Sequence, residues 1–140
     1  MSKVAVVYWS GTGNTEAMAM AVAEGAKGKG AEVSVITAAE FSPEQVCEYS
    51  AIAFGCPSMG SEQLEESEFE PMFTACEGRL SGKNIALFGS YGWGDGEWMR
   101  SWESRCNDDG ANLACDSVIC NETPDDDALA ACRELGASLA

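Results

Sequence analysis

The chain has 140 residues, which suits one hydrophobic core, so we expect residues 1–140 to fold as a single domain. Its 8 basic and 23 acidic residues give a formal net charge of -15, which repels nucleic acid and anionic membranes and favours partners with basic surfaces. No apolar stretch approaches the roughly 20 residues of a membrane span, and the amino terminus lacks a secretory pattern. These features predict a cytoplasmic protein that binds neither nucleic acid nor membrane.

Strand-like and helix-like hydrophobic periods alternate along the chain, with short connections and no internal repeat. Strands are predicted at Lys3–Tyr8, 32–36, Ala51–Gly55, 84–89 and 113–120. Helices are predicted at about 14–27, 66–80, 96–107 and 125–139, and Ser42 with the proline after it begins a short one. This alternation predicts an α/β fold, a five-stranded parallel sheet with helices on both faces in a three-layer sandwich.

Ligands of such sheets bind beyond the carboxyl ends of the strands, so the loops after the strands are the place to look for a site. Three of these loops, residues 10–15, 56–62 and 90–98, are rich in glycine and in small polar or aromatic side chains. One ligand could contact all three of them.

The loop after the first strand has the composition of an anion-binding site. Its two glycines permit tight backbone turns, while hydroxyl and amide side chains add donors to the free N–H groups and positive dipole end of the following helix. The loop contains no Lys or Arg, so a phosphate monoester would be held by neutral donors and the helix dipole. The candidate residues are Ser10, Gly11, Thr12, Gly13, Asn14 and Thr15.

Residue 16 excludes the two commonest phosphate-binding loops. A nucleotide P-loop needs a lysine after its last glycine, and a dinucleotide-binding loop needs a third glycine. Glu16 occupies both of those positions. The alternative that stays open is a glycine-containing turn that caps an ordinary helix.

Seven cysteines occur in the chain, but none of them forms a Cys-x-x-Cys pair, and histidine is absent. We therefore expect neither a zinc nor an iron–sulfur site. Cysteines scattered in this way are typical of reduced thiols that serve as small hydrophobic side chains in a reducing compartment. Cys56, beside the second loop, is not expected to be redox active.

Three stretches of the sequence closely resemble the flavin-binding loops of flavodoxins. They read Tyr-Trp-Ser-Gly-Thr-Gly-Asn-Thr-Glu from residue 8, Gly-Cys-Pro-Ser-Met-Gly-Ser-Glu from residue 55, and Phe-Gly-Ser-Tyr-Gly-Trp-Gly-Asp-Gly-Glu-Trp from residue 88. The resemblance spans the chain and is strongest to the short-chain flavodoxins of anaerobic bacteria, because the last predicted strand lacks the insertion of the long-chain group. It implies a flavodoxin-like sandwich that binds FMN non-covalently and transfers one electron at a time.

The resemblance also implies a role for each loop, the first one holding the FMN phosphate. Trp93 would lie flat against the isoalloxazine ring, and Met59 would cover the opposite face. The Gly60 carbonyl would swing toward the flavin N(5) of the semiquinone, and Glu62 would accept a hydrogen bond from the flavin N(3)–H. The other candidate contacts in these loops are Pro57, Ser58, Ser90, Tyr91, Gly92 and Gly94.

The acidity of the chain bears on its redox potentials. A flavin hydroquinone held as an anion beside Asp95, Glu97 and other carboxylates is disfavoured, so we expect a low-potential carrier that shuttles between semiquinone and hydroquinone in place of ferredoxin. Ser61 stands where some relatives have Asp, which leaves open how strongly the turn favours the semiquinone. Partners would be ferredoxin- or flavodoxin-dependent oxidoreductases with basic docking surfaces, and the carrier itself would be a monomer and not an enzyme.

Two other functions stay open on the sequence alone. A flavoenzyme of the quinone-reductase type could share the fold and FMN, but it would need one ring face free for NAD(P)H and the acceptor, whereas Trp93 and Met59 are expected to cover both faces. A module that has lost its flavin and serves in protein interaction is disfavoured by the three intact loops.

Overall fold

The computed structural model describes residues 2–59, 63–92 and 94–140. Its strands are β1 (Lys3–Tyr8), β2 (Glu32–Thr37), β3 (Ala51–Gly55), β4 (Asn84–Tyr91), β5 (Asn112–Leu113) and β6 (Val118–Asn121). Its α-helices are α1 (Asn14–Gly28), α2 (Phe69–Cys76), α3 (Glu97–Asp108) and α4 (Asp126–Leu139). Short 3-10 helices lie at Ala38–Glu40, Pro43–Glu48 and Glu77–Arg79.

The strands form one sheet in the order β2-β1-β3-β4-β5, with β6 also paired to β4. The pairings between these strands are parallel throughout. Because β1 lies between β2 and β3, the chain leaves β1 toward one edge and later crosses to the other side. A crevice opens at such a reversal, beyond the carboxyl ends of β1 and β3. The predicted parallel α/β sheet is confirmed.

Helices cover both faces of this sheet, as the alternating pattern predicted. The face under α1 and α4 buries mostly alanine and valine side chains, with Phe88 as a large exception. The two helices approach so closely that a Cβ on Gly25 or Gly136 would collide with a backbone carbonyl of the partner helix. The face under α2 and α3 buries large aromatic residues, including Phe73 and Trp102 with ring centroids 5.7 Å apart. Within the described ranges, no helix is long and apolar enough to cross a lipid bilayer.

The last predicted strand, 113–120, is wrong as a single element. Ile85 pairs with Leu113 and Phe88 with Val118, so residues 86 and 87 of β4 lie opposite the four residues 114–117. That intervening segment includes Asp116 and Ser117, which are poor strand formers, and the Ser117 hydroxyl donates to a Glu103 carboxylate oxygen on α3 at 2.7 Å. The extra residues therefore leave the ladder and divide the strand into β5 and β6.

Two other elements differ from the prediction by more than one residue at an end, and the helix predicted at 66–80 changes to the 3-10 type after Cys76. The helix predicted at 66–80 begins only at Phe69, because the Glu65 carboxylate accepts the backbone N–H groups ahead of it and holds residues 66–68 in a turn. Strand β4 continues past the predicted residue 89 to Tyr91, since Ser90 and Tyr91 pair with the end of β6. The short helix after Ser42 is of the 3-10 type and has the predicted capping box.

Candidate functional site

A cleft of about 420 Å³ opens at the carboxyl edge of the sheet. Its described lining comes from the loops after β1 and β3, the start of α1, the end of β4 and the residue after β4. From these segments the lining residues are Trp9, Ser10, Gly11, Thr12, Asn14, Thr15, Pro57, Ser58, Met59, Ser90, Tyr91 and Gly92. The fold thus brings segments that are distant in sequence around one space.

Residues 10–15, which comprise the turn before α1 and the first two residues of that helix, are organised around the Ser10 hydroxyl; we name them the phosphate loop. Ser10 Oγ accepts hydrogen bonds from the backbone N–H groups of Gly13 at 3.1 Å and Glu16 at 3.2 Å. Since both lone pairs are used, the hydroxyl proton of Ser10 remains as a donor for a ligand. Gly13 caps the helix with a φ of 96°, a left-handed conformation that favours glycine. The first-turn N–H groups of α1 have no acceptor inside the helix.

Thr15 and Ser90 connect the phosphate loop to the end of β4. Their hydroxyl oxygens lie 3.3 Å apart, and the two residues are only 1% and 5% exposed. The Ser90 carbonyl also accepts the backbone N–H of Ser58 at 3.0 Å. Ser90 therefore contacts both the phosphate loop and the loop after β3. The Thr15 hydroxyl already has a protein partner. The side chain of Thr12 is exposed.

The loop after β3, from Cys56 to Glu65, is named the β3 loop. A short antiparallel bridge closes it, in which Met59 N–H donates to the Gln63 carbonyl at 2.8 Å and Gln63 N–H donates to the Met59 carbonyl at 2.9 Å. Met59 lines the cleft and is 37% exposed. Its thioether is thus accessible to an aromatic ligand.

Both ends of the β3 loop are buried. Burial raises the pKa of the Cys56 thiol far above its ordinary value, with the nearby Glu65 and Glu70 carboxylates adding to the effect. Because the thiolate is the reactive form, Cys56 is a poor nucleophile. Burial by itself would raise the pKa of Glu65 too, but hydrogen bonds from Ser67, Phe69 and Glu68 outweigh it and hold that pKa below its usual range.

Three residues of the cleft lining were not predicted as site residues. Trp9 lies beside the phosphate loop, close enough that a Cβ on Gly11 would be 3.0 Å from its ring, and its Nε1–H donates to Glu68 Oε1 at 2.9 Å. Glu122 and Thr123 follow β6. Glu122 has a φ of 56°, and its N–H donates to the Tyr91 carbonyl at 2.7 Å. A signal was available for this pair, because every strand of the sheet ends at the same edge.

Other predicted positions fall away from the described lining. Gly13 lies at the helix cap, and Gly94, with a φ of 85°, lies in the turn after β4. Gly60, Glu62 and Trp93, together with Ser61, lie outside the described residues. Their roles stay predictions.

The chemistry of the cleft suits a ligand with two unlike ends. Hydroxyl and N–H donors of the phosphate loop occupy one part, whereas Met59 and Tyr91 offer a thioether and an aromatic ring elsewhere. No Lys or Arg occurs among the described residues of the lining, so an anion there would be bound by hydrogen bonds and the helix dipole. A phosphate monoester carrying a flat apolar ring fits these groups. In the part of the chain that the structure describes, no cluster of acidic or cysteine side chains could hold a metal ion.

A parallel α/β sheet with such a cleft at its strand reversal defines a mononucleotide-binding domain of the doubly wound class. A family model described as Flavodoxin matches residues 6–136 of the chain. The chain belongs to the flavodoxin family. The predicted FMN cofactor and electron-transfer function are thereby confirmed.

Similar proteins cover nearly the whole chain. A flavodoxin of Megasphaera elsdenii is 46% identical over 137 residues, which is 98% of each chain. A flavodoxin of Clostridium beijerinckii is 44% identical over 135 residues, covering 96% of this chain and 97% of that relative. The solution structure of two-electron reduced Megasphaera elsdenii flavodoxin superimposes with a TM-score of 0.90 and covers 97% of both chains.

Proposed function

We propose that this chain is a single-domain, monomeric carrier of low potential that moves one electron at a time and takes the place of ferredoxin in the cytoplasm. The observation that carries the proposal is the shared cleft, in which neutral donors and an apolar wall come together from loops distant in sequence. FMN has the matching form, with a phosphate at one end and a flat ring at the other. When bound, it supplies the redox chemistry.

The phosphate of FMN would bind in the phosphate loop. The free hydroxyl proton of Ser10, the side chains of Thr12 and Asn14 and the first-turn N–H groups of α1 provide hydrogen-bond donors. The positive end of the helix dipole adds to their effect. Because these donors are neutral, the site compensates the phosphate charge without an ion pair. Thr15 would support this loop from behind through its contact with Ser90.

The flavin ring would lie against the β3 loop and the end of β4. Met59 is accessible on the cleft wall, and Tyr91 is supported from behind by Trp98, with ring centroids 5.5 Å apart. Pro57, Ser58, Ser90 and Gly92 line the same cleft. Contacts of Trp93, Gly60 and Glu62 with the ring, and a supporting turn at Gly94, are proposed from the family resemblance.

Negative charge near the cleft would favour loss of an electron from reduced flavin and so lower the potential. Glu122 lies on the cleft wall, where its carboxylate would be 3.8 Å from a Cβ added to Gly92. Asp95 contributes less than the sequence suggested, because it forms an exposed ion pair with Arg100 at 3.0 Å. The total charge of -15 adds a long-range component.

The same charge would select the partners. Redox enzymes that depend on ferredoxin or flavodoxin and carry basic docking surfaces would meet this acidic carrier in brief encounters. Since exposed charges are screened over about 8 Å at physiological ionic strength, electron transfer to such a partner should slow as salt is added. A rate that does not depend on salt would contradict the docking proposal.

The function is tested by anaerobic titration of the purified FMN-loaded protein with dithionite, followed by visible absorbance. A one-electron carrier passes from yellow through a blue, half-reduced species before it bleaches. Direct passage from yellow to colourless would contradict the one-electron proposal and favour a two-electron reductase. A protein that binds no added FMN would leave only the fold.

The reductase alternative has a separate test. A flavoenzyme of the quinone-reductase type would be reduced rapidly on mixing with NADPH alone. The proposed carrier should show no such reduction until a flavodoxin-reducing enzyme is added. Fast reduction by NADPH alone would overturn the assignment as a carrier.

A further inference from the structure

One buried thiol connects the two ends of the β3 loop. The Sγ atom of Cys56, which is 0% exposed, accepts the backbone N–H of Glu65 at 3.3 Å. The same thiol donates to the Pro57 carbonyl at 3.5 Å. Cys56, the first residue of the β3 loop, is therefore hydrogen-bonded to Glu65, its last residue, and to Pro57, the residue that follows it.

Cys56 is itself held firmly in the sheet. Its N–H donates to the Phe88 carbonyl at 3.1 Å, and its carbonyl accepts the indole N–H of Trp98 at 3.2 Å. Gly89 lies so close that an added Cβ would collide with the Cys56 carbonyl. The backbone of Cys56 is thus held in place on both sides where the loop begins.

Glu65 is the second buried group, only 6% exposed. One carboxylate oxygen accepts the backbone N–H groups of Glu68 at 2.8 Å and Phe69 at 2.9 Å. The other accepts the backbone N–H of Ser67 at 2.8 Å and also the Ser67 hydroxyl. Among the described residues no cation pairs with this carboxylate, so these hydrogen bonds compensate its burial.

The arrangement reaches the cleft through the backbone. Gln63, two residues before Glu65, exchanges both backbone hydrogen bonds with Met59. A shift of Glu65 would therefore be transmitted through Gln63 to the cleft wall. A helix can be capped without such a connection to the cleft. In α4 the capping residue is Asp125, directly before the helix, whereas Glu65 lies four residues before the start of α2.

We propose that Cys56 and Glu65 are positioning residues that hold the β3 loop in place against the flavin ring and so set the gap between the two one-electron midpoint potentials of bound FMN. The inference rests on the proposed function and deepens it. Neither residue lines the cleft, and both act through the backbone of Met59. Loosening the loop should narrow the gap between the two midpoint potentials, because contacts that the loop makes with only one redox form of the ring would then be weaker.

The charge-neutral test is Cys56→Ala, which removes the thiol contacts to Glu65 and Pro57. We expect the equilibrium constant that separates the two reduction steps to fall by about fivefold, the effect of about one net hydrogen bond. Cys56→Ser keeps a donor and an acceptor and should restore much of the gap. Cys76→Ala is the matched control, because Cys76 is also 0% exposed and its Sγ forms a hydrogen bond only with the Met72 sulfur among the described residues.

Glu65→Gln tests the carboxylate, since an amide retains one acceptor oxygen and turns an NH₂ group toward donors. Glu66→Gln removes the same charge one residue away, where an exposed side chain makes no hydrogen bond with the described residues. The equilibrium constant that separates the two reduction steps should be about fivefold smaller in Glu65→Gln than in Glu66→Gln. Urea unfolding of each apo-variant reports stability separately from the potentials.

The outcomes separate this inference from the proposed function. If the unaltered protein shows no blue half-reduced species, the proposed function fails whatever the variants do. If it does, and Cys56→Ala and Glu65→Gln leave the gap equal to that of their controls while losing stability, the two residues are structural only and the inference is overturned. A narrowed gap in Cys56→Ala that Cys56→Ser does not restore would also contradict the hydrogen-bond account.

Discussion

The two ends of the cleft are built in different ways. At the phosphate loop, consecutive residues supply the backbone turn, the hydroxyl Ser10 that organises it and the helix terminus. At the β3 loop, the shape depends on groups from several parts of the chain, among them the Phe88 carbonyl and the indole of Trp98. One end is therefore a local structure, whereas the other is a tertiary one.

This difference teaches how affinity and potential can be separated in one small protein. Under the proposed function, a local loop built from neutral donors would stabilise the phosphate equally in every redox state of the ring and would therefore set affinity. A loop whose shape depends on buried tertiary contacts would distinguish redox states and would therefore set the potentials. Substitutions at the two ends should then have different consequences.

The largest expected effect comes from Gly89→Ala, beside the start of the β3 loop. The added Cβ would collide with the Cys56 carbonyl and lie 3.2 Å from the Trp98 ring, so strands β3 and β4 would have to separate. We expect a loss of about 3 kcal/mol in the free energy of unfolding, measured by urea titration. Gly78→Ala is the control, because its Cβ would meet nothing within 4 Å. Equal stabilities of the two variants would contradict the close approach.

Acidification probes the carboxylate that caps α2. The pKa of Glu65 is lower in the folded protein than its ordinary value, so its contribution to stability is present above about pH 4.3 and is lost as the pH falls through the folded pKa. At neutral pH, Glu65→Gln should unfold with about 2 kcal/mol less free energy than the unaltered protein. This difference should shrink as the pH is lowered below 4.3. A difference that grows on acidification would show that the sign is wrong.

At the phosphate end, Thr12→Val should weaken FMN binding about tenfold, because one hydrogen bond to a charged group is lost. Riboflavin, which lacks the phosphate, should bind unchanged. Both affinities are measured by quenching of flavin fluorescence, and Thr37→Val, outside the cleft lining, is the control. Equal losses for FMN and riboflavin would remove Thr12 from the phosphate site. Thr15→Val is a less selective probe, because it also breaks the contact with Ser90.

The smallest effect is expected for Gly13→Ala. The left-handed φ of 96° should make this substitution cost about 1 kcal/mol of stability, seen as a lower unfolding midpoint of the apo-protein. Gly28→Ala, at the other end of the same helix, has space for a Cβ and no positive φ, so it should be neutral or slightly stabilising. If Gly13→Ala were as stable as Gly28→Ala, the cap would not require glycine.

Local patterns were enough to predict much of the fold and one end of the site. The bounds of β1 and β3 follow from their apolar runs, and the phosphate loop follows from a strand, a glycine-containing turn and a helix in immediate succession. The division of the last strand was not predictable in the same way. It depends on a mismatch in length against β4 and on a hydrogen bond from Ser117 to Glu103, and both are tertiary.

The contacts that shape the β3 loop are also tertiary, so local patterns did not predict them. Glu65 was one of several acidic residues ahead of a predicted helix, and only the fold shows that its carboxylate is buried and accepts the N–H groups of α2. Cys56 was predicted as an ordinary thiol, and nothing in its position indicated that it binds Glu65 at the other end of its loop. The family resemblance, and not periodicity, supplied the prediction of FMN. It also supplied the roles assigned to Trp93 and Gly60, and these roles stay predictions.

The central claim is that the phosphate loop sets affinity while the β3 loop sets the potentials. The most direct test is an anaerobic redox titration of the FMN-loaded protein beside its Thr12→Val and Cys56→Ala variants, at flavin concentrations that saturate all three. The account predicts that Thr12→Val keeps the gap between the two midpoint potentials and that Cys56→Ala narrows it. A gap that changes in Thr12→Val and stays constant in Cys56→Ala would contradict the account.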